Sequence, residues 1–208
     1  MKVRTEARRL AIVETAAAVF LDLGYEGASM TEVSKRLGGS KATLYGYFPR
    51  KEDLFVAVIE RYATSHLNDA MATLLQPLDS LGLEGRLILF GRRMMAILMN
   101  DATAIKVYRL VLSESGRSDI GLLFHNAGPT QCIEALSALM SQAMVDGALK
   151  DASPGLRAKQ FLSLLTAEPD ERLYQQEPPP ISLADMESMV GNAVEMFLGG
   201  AATPRSYG

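Results

Sequence analysis

The stretch Met30–Phe55, MTEVSKRLGGSKATLYGYFPRKEDLF, decides how the rest of the chain is interpreted. Ser29 precedes it as a helix N-cap, and Glu32 completes a capping box three residues later. Gly38-Gly39 ends this helix, because glycine adopts the left-handed C-terminal conformation without a Cβ clash. The stretch therefore predicts a short helix, a glycine turn and a second short helix.

The second short helix starts after Ser40, a further N-cap, and ends at Pro49. Leu44 and Phe48 give it one apolar face, while its other faces carry hydroxyl and ammonium donors. This arrangement is typical of a helix-turn-helix, whose second helix enters the major groove of DNA. Such donors contact phosphates and base edges. We therefore predict DNA contacts at Thr31, Ser40, Lys41, Thr43, Tyr45, Tyr47 and Lys51, with Arg50 beside Lys51 at a phosphate site.

Composition and charge agree with a helical nucleic-acid-binding protein. Among 208 residues, 48% are apolar and none is tryptophan, and Ala, Leu, Met and Glu abound, which favours an all-α fold. The net charge is −3, but residues 1–51 hold nine Lys/Arg and five Asp/Glu, a net of +4, so the remainder carries −7. A basic domain on an acidic body is typical of a nucleic-acid reader with a second function. Chance asymmetry is the alternative.

Residues 10–55 resemble the N-terminal domain of the TetR family of transcriptional regulators. Two positions depart from the family pattern: Gly39 stands for an apolar residue and Ser34 for alanine, and both are expected to loosen the turn. The matching residues are Ala16, Phe20, Gly24, Tyr25, Ser29, Val33, Gly38, Ser40, Lys41, Thr43, Leu44, Tyr45, Tyr47, Phe48, Lys51, Glu52, Leu54 and Phe55.

Residues 86–199 resemble the C-terminal domain of AefR-like TetR regulators. The resemblance is carried by RLVLSESGR (Arg109–Arg117), FHNAGP (Phe124–Pro129) and AKQFLSLL (Ala158–Leu165). It implies that a three-helix DNA-binding domain is joined to a larger helical domain that binds an effector and dimerises. It also implies that the fourth helix passes the ligand signal to the DNA-binding domain.

Helical periodicity places the remaining elements. We predict helices at about 5–23, 51–75, 84–100, 102–115, 118–148 with a break at Gly128-Pro129, 153–166 and 182–198. The proline-rich residues 168–180 are predicted as a loop, and Gly199-Gly200 as the stop of the last helix. The predicted domains are 1–51 for DNA binding, 52–200 for effector binding and dimerisation, and 201–208 as a disordered tail.

The resemblance implies an effector pocket, and adaptable methionines suit varied apolar ligands. Each candidate is also typical of ordinary core, and Arg92, Arg93 and Arg109 are open candidates for an acidic ligand. The pocket candidates are Met94, Met95, Leu98, Tyr108, Leu112, Phe124, His125, Met140 and Met144.

Two apolar stripes late in the chain predict a homodimer, although such stripes can also pack on the subunit's own core. A two-fold dimer would place two recognition helices in grooves roughly 34–36 Å apart and read a palindromic operator. The predicted interface residues are Leu162, Leu165, Met186, Met189, Val190, Ala193, Met196 and Phe197.

The sequence offers little support for other classes of protein. One cysteine, Cys132, permits no internal disulfide and favours a reducing cytoplasm, and we expect no signal peptide, membrane span, metal or cofactor. No activated nucleophile, phosphate-binding glycine loop or constrained carboxylate pair indicates an enzyme. A helical interaction protein is disfavoured because Lys41, Tyr45 and Tyr47 serve no core. The leading prediction is a repressor released from DNA by a small-molecule effector, with an activator left open.

Overall fold

A computed structural model describes residues 5–74, 81–98 and 101–203, with backbone alone at 66 and 96–98. Within these residues the chain is helical and forms no strand beyond one isolated bridge, so the all-α prediction is confirmed. The helices are α1 (Glu6–Gly27), α2 (Met30–Leu37), α3 (Lys41–Tyr47), α4 (Lys51–Ile59), α5 (Ser65–Leu74), α6 (Gly82–Leu98), α7 (Ala102–Glu114), α8 (Ile120–Asn126), α9 (Pro129–Val145), α10 (Pro154–Ala167) and α11 (Leu183–Ala201).

Helix α1 begins and breaks where its sequence predicts. Thr5 is the N-cap, and its side chain accepts a hydrogen bond from the Arg8 amide at 3.3 Å. Gly24 interrupts the helix with φ +70° and ψ 170°, a conformation that residues with a Cβ rarely adopt. The regular part of the helix therefore ends at the predicted residue, and one further turn leads into α2.

An aromatic cluster joins α1 to α4. The Phe55 ring lies 4.9 Å from the ring centres of both Phe20 and Tyr25. The Tyr25 hydroxyl donates to Glu52 Oε1 at 3.3 Å. Burial raises the pKa of the Tyr25 phenol, and the Glu52 carboxylate raises it further, so the phenol stays protonated and keeps donating.

The predicted helix at 51–75 is helical throughout its described part, but its hydrogen-bond pattern changes midway. A π-helical turn at Glu60–Thr64 joins α4 to α5. The Thr64 hydroxyl, 1% exposed, donates to the Ala127 carbonyl at 3.0 Å. The predicted end of this helix lies outside the described residues.

Three phenylalanines form the centre of the core built by α6, α10 and α11. The ring of Phe161 lies 6.1 Å from that of Phe90 and 5.3 Å from that of Phe197. At Gly91 the helices approach so closely that a Cβ would lie 2.8 Å from Val190 Cγ1 and 2.9 Å from Leu165 Cδ2. A side chain at residue 91 would therefore displace Val190 and Leu165.

The prediction of a loop at 168–180 is partly wrong. Pro169–Tyr174 forms a 3₁₀ helix, and the side chain of Arg172 within it is 8% exposed. The Arg172 guanidinium donates to the Pro179 carbonyl. This contact ties the proline-rich segment to the 3₁₀ helix, which is tertiary information that local composition does not carry.

The prediction that Gly199-Gly200 stops the last helix is also wrong. Helix α11 continues to Ala201, and the following residues pair with the segment after α9. The Lys150 amide donates to the Ala201 carbonyl at 2.9 Å, and the Thr203 amide donates to the Ala148 carbonyl at 3.1 Å. Residues 201–203 of the predicted tail are thus ordered by pairing, and 204–208 lie outside the described residues.

The chain divides into two compact units by packing. The first comprises Met1–Ser65 and Ala102–Ala127, and the second comprises His66–Asp101 and Gly128–Gly208. Helices α7 and α8 therefore belong to the same unit as the helix-turn-helix. The predicted functional limits, 1–51 and 52–200, remain predictions.

Candidate nucleic-acid interface

The helix-turn-helix is held by the predicted caps. Ser29 Oγ accepts from the Glu32 amide at 3.2 Å, and Ser40 Oγ accepts from the Thr43 amide at 3.2 Å. Gly38 closes α2 in the left-handed conformation, with φ +66° and ψ +29°. Gly38 and Ser40 therefore fix the two ends of the turn between α2 and α3, and Ser29 fixes the start of α2.

The two residues that depart from the family pattern are bonded to each other across this turn. The Ser34 side chain, 4% exposed, donates its hydroxyl to the Gly39 carbonyl at 2.8 Å. The Gly39 amide in turn donates to the Ser34 carbonyl at 3.3 Å. The sequence pattern indicates only the lost apolar packing, whereas the structure shows that the Ser34 hydroxyl adds a hydrogen bond across the turn. The effect of the two residues on the packing of the turn stays a prediction.

Four of the predicted contacts lie on the outer side of α3. Ser40, Lys41 and Tyr45 are exposed, with Tyr45 at 47%, and Thr43 is half-buried. The hydroxyls of Ser40 and Thr43 lie 2.8 Å apart and form one hydrogen-bonding pair. Thr31, at the start of α2, is exposed as well. This arrangement presents donors to solvent along one short helix.

Two other predicted contacts turn toward the protein. The Tyr47 hydroxyl accepts from the Thr5 amide at 2.9 Å, and its ring packs on the core of the first unit. Lys51 Nζ donates to the carbonyls of Tyr25 at 3.0 Å and Ala28 at 3.4 Å. It also lies 4.2 Å from the centre of the Tyr25 ring. The expectation that Tyr47 serves no core was wrong.

The arginines of α2 and of the α3–α4 connection are paired with carboxylates. Arg36 contacts Asp22 at 2.7 Å and Glu32 at 2.9 Å. Arg50 donates two hydrogen bonds to Asp53, at 2.6 and 3.1 Å, which hold the pKa of that carboxyl below its usual range. Their positive charge is already partly compensated within the protein.

Two family models match the chain. Residues 12–58 match the model of bacterial regulatory proteins of the tetR family, and residues 85–200 match the C-terminal domain of AefR-like transcriptional repressors. The second match alone spans more than half of the chain. This protein belongs to the TetR family.

Known relatives agree with this assignment. The transcriptional activator FasR of Mycolicibacterium smegmatis is 40% identical over 57 residues, which cover 27% of this chain and 26% of FasR. A TetR-family regulator from Mesorhizobium loti has the same fold, with a TM-score of 0.77, 25% identity and coverage of 97% and 100% of the two chains. The flavonoid-responsive regulator FrrA has a TM-score of 0.74 and 28% identity at the same coverage. The chain is thus a TetR-family transcriptional regulator.

The nine predicted effector residues of this regulator are divided between its compact units. In the second unit, three methionines are buried in the core and Met144 packs on them half-buried. In the first unit, the rings of Tyr108 and Phe124 lie 5.4 Å apart, while Leu112 is 51% exposed and His125 is exposed. The Leu98 side chain lies outside the described residues. Their grouping into one pocket remains a prediction. The three buried methionines are Met94, Met95 and Met140.

Two clefts are lined by other residues. The first, about 330 Å³, lies between α1 and α7 of the first unit, and the second, about 360 Å³, lies between α6 and α9 of the second unit. Arg109, one of the sequence candidates for an acidic ligand, lines the first cleft. Methionine content could not indicate these clefts, because they depend on which helices pack together. Their lining residues are Leu21, Lys106, Arg109, Leu110 and Ser113 in the first, and Gly82, Leu83, Arg86, Leu139, Gln142, Ala143, Asp146 and Ala148 in the second.

The predicted dimer residues separate into a buried and a surface set. Leu162 and Met189 are half-buried, and Met196 on α11 is 67% exposed. The remainder are buried in the core of their own unit, because α11 packs on both α6 and α10. Only the surface set is available to a second copy without repacking. The buried residues are Leu165, Met186, Val190, Ala193 and Phe197.

The described part of the chain offers few features that would suit metal binding, membrane insertion or a reactive thiol. No group of three His, Cys, Asp or Glu side chains there could hold a metal ion. None of its helices is both long and apolar enough to span a membrane. Cys132 is buried at 1% exposure, which raises the pKa of its thiol to about 12.

Proposed function

We propose that this TetR-family regulator is a homodimeric repressor that binds a palindromic operator and is released by a small-molecule effector. The observation that carries the proposal is the outer side of α3, where Ser40, Lys41 and Tyr45 are exposed and Thr43 is half-buried beside a capped glycine turn. A seven-residue helix reads few base pairs, so a second copy is needed for a specific site.

The contacts have distinct proposed roles. Lys41 carries a mobile, hydrated charge suited to phosphate, so its removal should weaken binding to all sequences alike. Thr43 has a short side chain on the outer helix, so its removal should change sequence preference. Tyr45 presents its phenol at 47% exposure and is the second proposed phosphate contact.

A surface on α10 and α11 supports the dimer. Met189 and Met196 lie seven residues apart, hence on one side of α11, and Leu162 is half-buried on α10. A two-fold interface would place the same apolar patch of each copy against the other.

Response to an effector is supported by the likeness to FrrA, which spans nearly the whole of both chains. Because FrrA is flavonoid-responsive, flavonoids are the first effectors to test. An effector releases the operator when it binds the form with poor DNA affinity more tightly than the DNA-binding form.

Activation is the second candidate, since FasR is a transcriptional activator. The same DNA contacts serve both outcomes, so the position of the operator relative to the promoter decides between them.

The proposal is tested by selecting random duplex DNA with the purified protein at two salt concentrations. We expect a palindrome whose affinity falls steeply as salt rises, because phosphate contacts release counterions. Recovery of no preferred sequence would refute a sequence-specific regulator.

The selected operator is then placed over a promoter for transcription in vitro with purified RNA polymerase. A repressor lowers the transcript yield and a flavonoid such as naringenin restores it. A rise in transcript on adding the protein would assign an activator instead. An unrelated aromatic compound of similar size controls for non-specific release.

A further inference from the structure

The guanidinium of Arg8 lies directly on the glycine of the helix-turn-helix turn. A Cβ at residue 39 would be 2.6 Å from Arg8 Nη2 and 3.9 Å from Arg8 Cζ. The first distance is shorter than any real contact of a Cβ, so a side chain at residue 39 would displace the guanidinium. Because Nη2 is the far end of a flexible side chain, that displacement would cost the fold little.

The first turns of α1 lie beside the recognition helix at more than this point. The Thr5 amide donates to the Tyr47 hydroxyl at 2.9 Å, and Arg9 Cζ lies 5.4 Å from the centre of the Phe48 ring. These contacts fix the start of α1 along α3. Arg8 is thereby held at the turn from which the exposed donors of α3 begin.

Arg8 differs from the nearby arginines, whose guanidiniums are paired with carboxylates. Arg9 lies 3.9 Å from Glu6, and the guanidiniums of Arg36 and Arg50 contact carboxylates as described above. Arg8 forms no ion pair with any carboxylate of residues 5–74, 81–98 and 101–203. Arg8 is half-buried, and its guanidinium can still form charge-assisted hydrogen bonds to an anion.

We propose that Arg8 is a contact to the DNA phosphate backbone and that the absence of a side chain at residue 39 positions it. This inference rests on the proposed DNA-binding function. A guanidinium suits the task because its planar fork of donors can hold two phosphate oxygens at once. Gly39 then contributes to the interface only by leaving space for the Arg8 guanidinium, because it has no side chain that could contact DNA.

The test compares three variants with the wild type: Arg8→Gln, Gly39→Ala and the double variant. Affinity for the selected operator and for a random duplex of the same length is measured over a series of salt concentrations. Arg8→Gln should weaken binding to both duplexes by roughly tenfold or more and reduce the salt slope by about one per protomer. Gly39→Ala should reproduce much of this loss.

The double variant distinguishes positioning from a general effect on the turn. If residue 39 acts through Arg8, Gly39→Ala will cost little further affinity once Arg8 is Gln. Thermal unfolding should show all three variants folded near the wild-type midpoint. Arg117→Gln, which removes an exposed charge between α7 and α8 and outside the helix-turn-helix, is the charge-matched control and should keep the wild-type slope.

An unchanged salt slope in Arg8→Gln would overturn the phosphate contact. Equal losses from Gly39→Ala in both backgrounds would overturn the positioning role of residue 39. Failure of the wild type to bind any duplex would instead refute the proposed function, and the inference with it, so the two failures are distinguishable.

Discussion

Lys41 and Lys51 carry the same ammonium group in different surroundings. Lys41 is exposed in the first turn of α3, whereas Lys51 donates to two carbonyls at the end of α1 and lies over the Tyr25 ring. We predict that Lys51→Met lowers the free energy of unfolding by about 1–2 kcal/mol, because those carbonyls lose a charged donor. Urea unfolding at neutral pH measures it.

The matched control is Lys41→Met. It should leave the free energy of unfolding within about 0.5 kcal/mol of the wild type while weakening DNA binding. Equal stability of both variants would remove the structural role assigned here to Lys51.

Burial of Cys132 makes the free energy of unfolding depend on pH. Its thiol has a pKa of about 12 in the folded protein, against about 8.5 in an unfolded chain. The unfolded state therefore loses this proton first, and stability falls as pH rises from about 8.5 toward 12. Comparing guanidinium melts at pH 8 and pH 10, Cys132→Ala should lose less stability than the wild type. A parallel loss in both would assign the dependence to other groups.

The same burial makes the thiol chemically inert in the native protein. Iodoacetamide reacts with the thiolate, which is scarce at pH 8 when the pKa is about 12. Mass spectrometry should find Cys132 unmodified under native conditions and alkylated in denaturant. Rapid native labelling would contradict the closed environment described for α9.

Two glycines on different helices of the second unit should respond in opposite ways to substitution by alanine. A Cβ at Gly91 of α6 would lie under 3 Å from both Val190 and Leu165, whereas a Cβ at Gly191 of α11 meets no atom within 4 Å. We predict that Gly91→Ala lowers the free energy of unfolding by about 1–3 kcal/mol, since the packed helices must separate. Gly191→Ala should raise it by about 0.5–1 kcal/mol through helix propensity. Urea unfolding of both variants measures these changes. Stabilisation by both would show that α6 can accommodate a methyl group at residue 91.

Elements were predictable where a few neighbouring residues determine them. Ser29 and Ser40 cap helices as predicted, because a cap needs only its own hydroxyl and an amide three residues on. The stop at Gly199-Gly200 failed because residues 148–150, fifty positions earlier, hold the helix end. Sequence spacing reports the first kind of contact and not the second.

The interface residues divide in the same way. The outer side of α3 followed from helical periodicity, so the exposure of Lys41 and Tyr45 was predictable. The inward contacts of Tyr47 and Lys51 depend on where α1 packs, which no local pattern encodes. The position of Arg8 against the turn depends on the same packing of α1, and the available signal was the glycine at residue 39, where the family pattern has an apolar side chain.

At the scale of the whole molecule, the proposed dimer makes a prediction about mass in solution. Met196→Lys introduces a charge into the proposed apolar contact, so the dissociation constant should rise by at least about 100-fold. Sedimentation equilibrium should show the monomer mass at concentrations where the wild type is dimeric. Val145→Lys, at a residue 79% exposed on α9, is the matched control and should leave the mass unchanged. A dimeric Met196→Lys protein would place the interface elsewhere.

The pairing of residues 148–150 with 201–203 should couple the hydrogen exchange of two segments that are fifty positions apart in the chain. The Lys150 amide donates to the Ala201 carbonyl and the Thr203 amide to the Ala148 carbonyl, so the same two segments hold both amides. In deuterium exchange, both amides should therefore open together, and the rate of one reports the release of the other. Residues 148–150 and 201–203 then open as one cooperative unit.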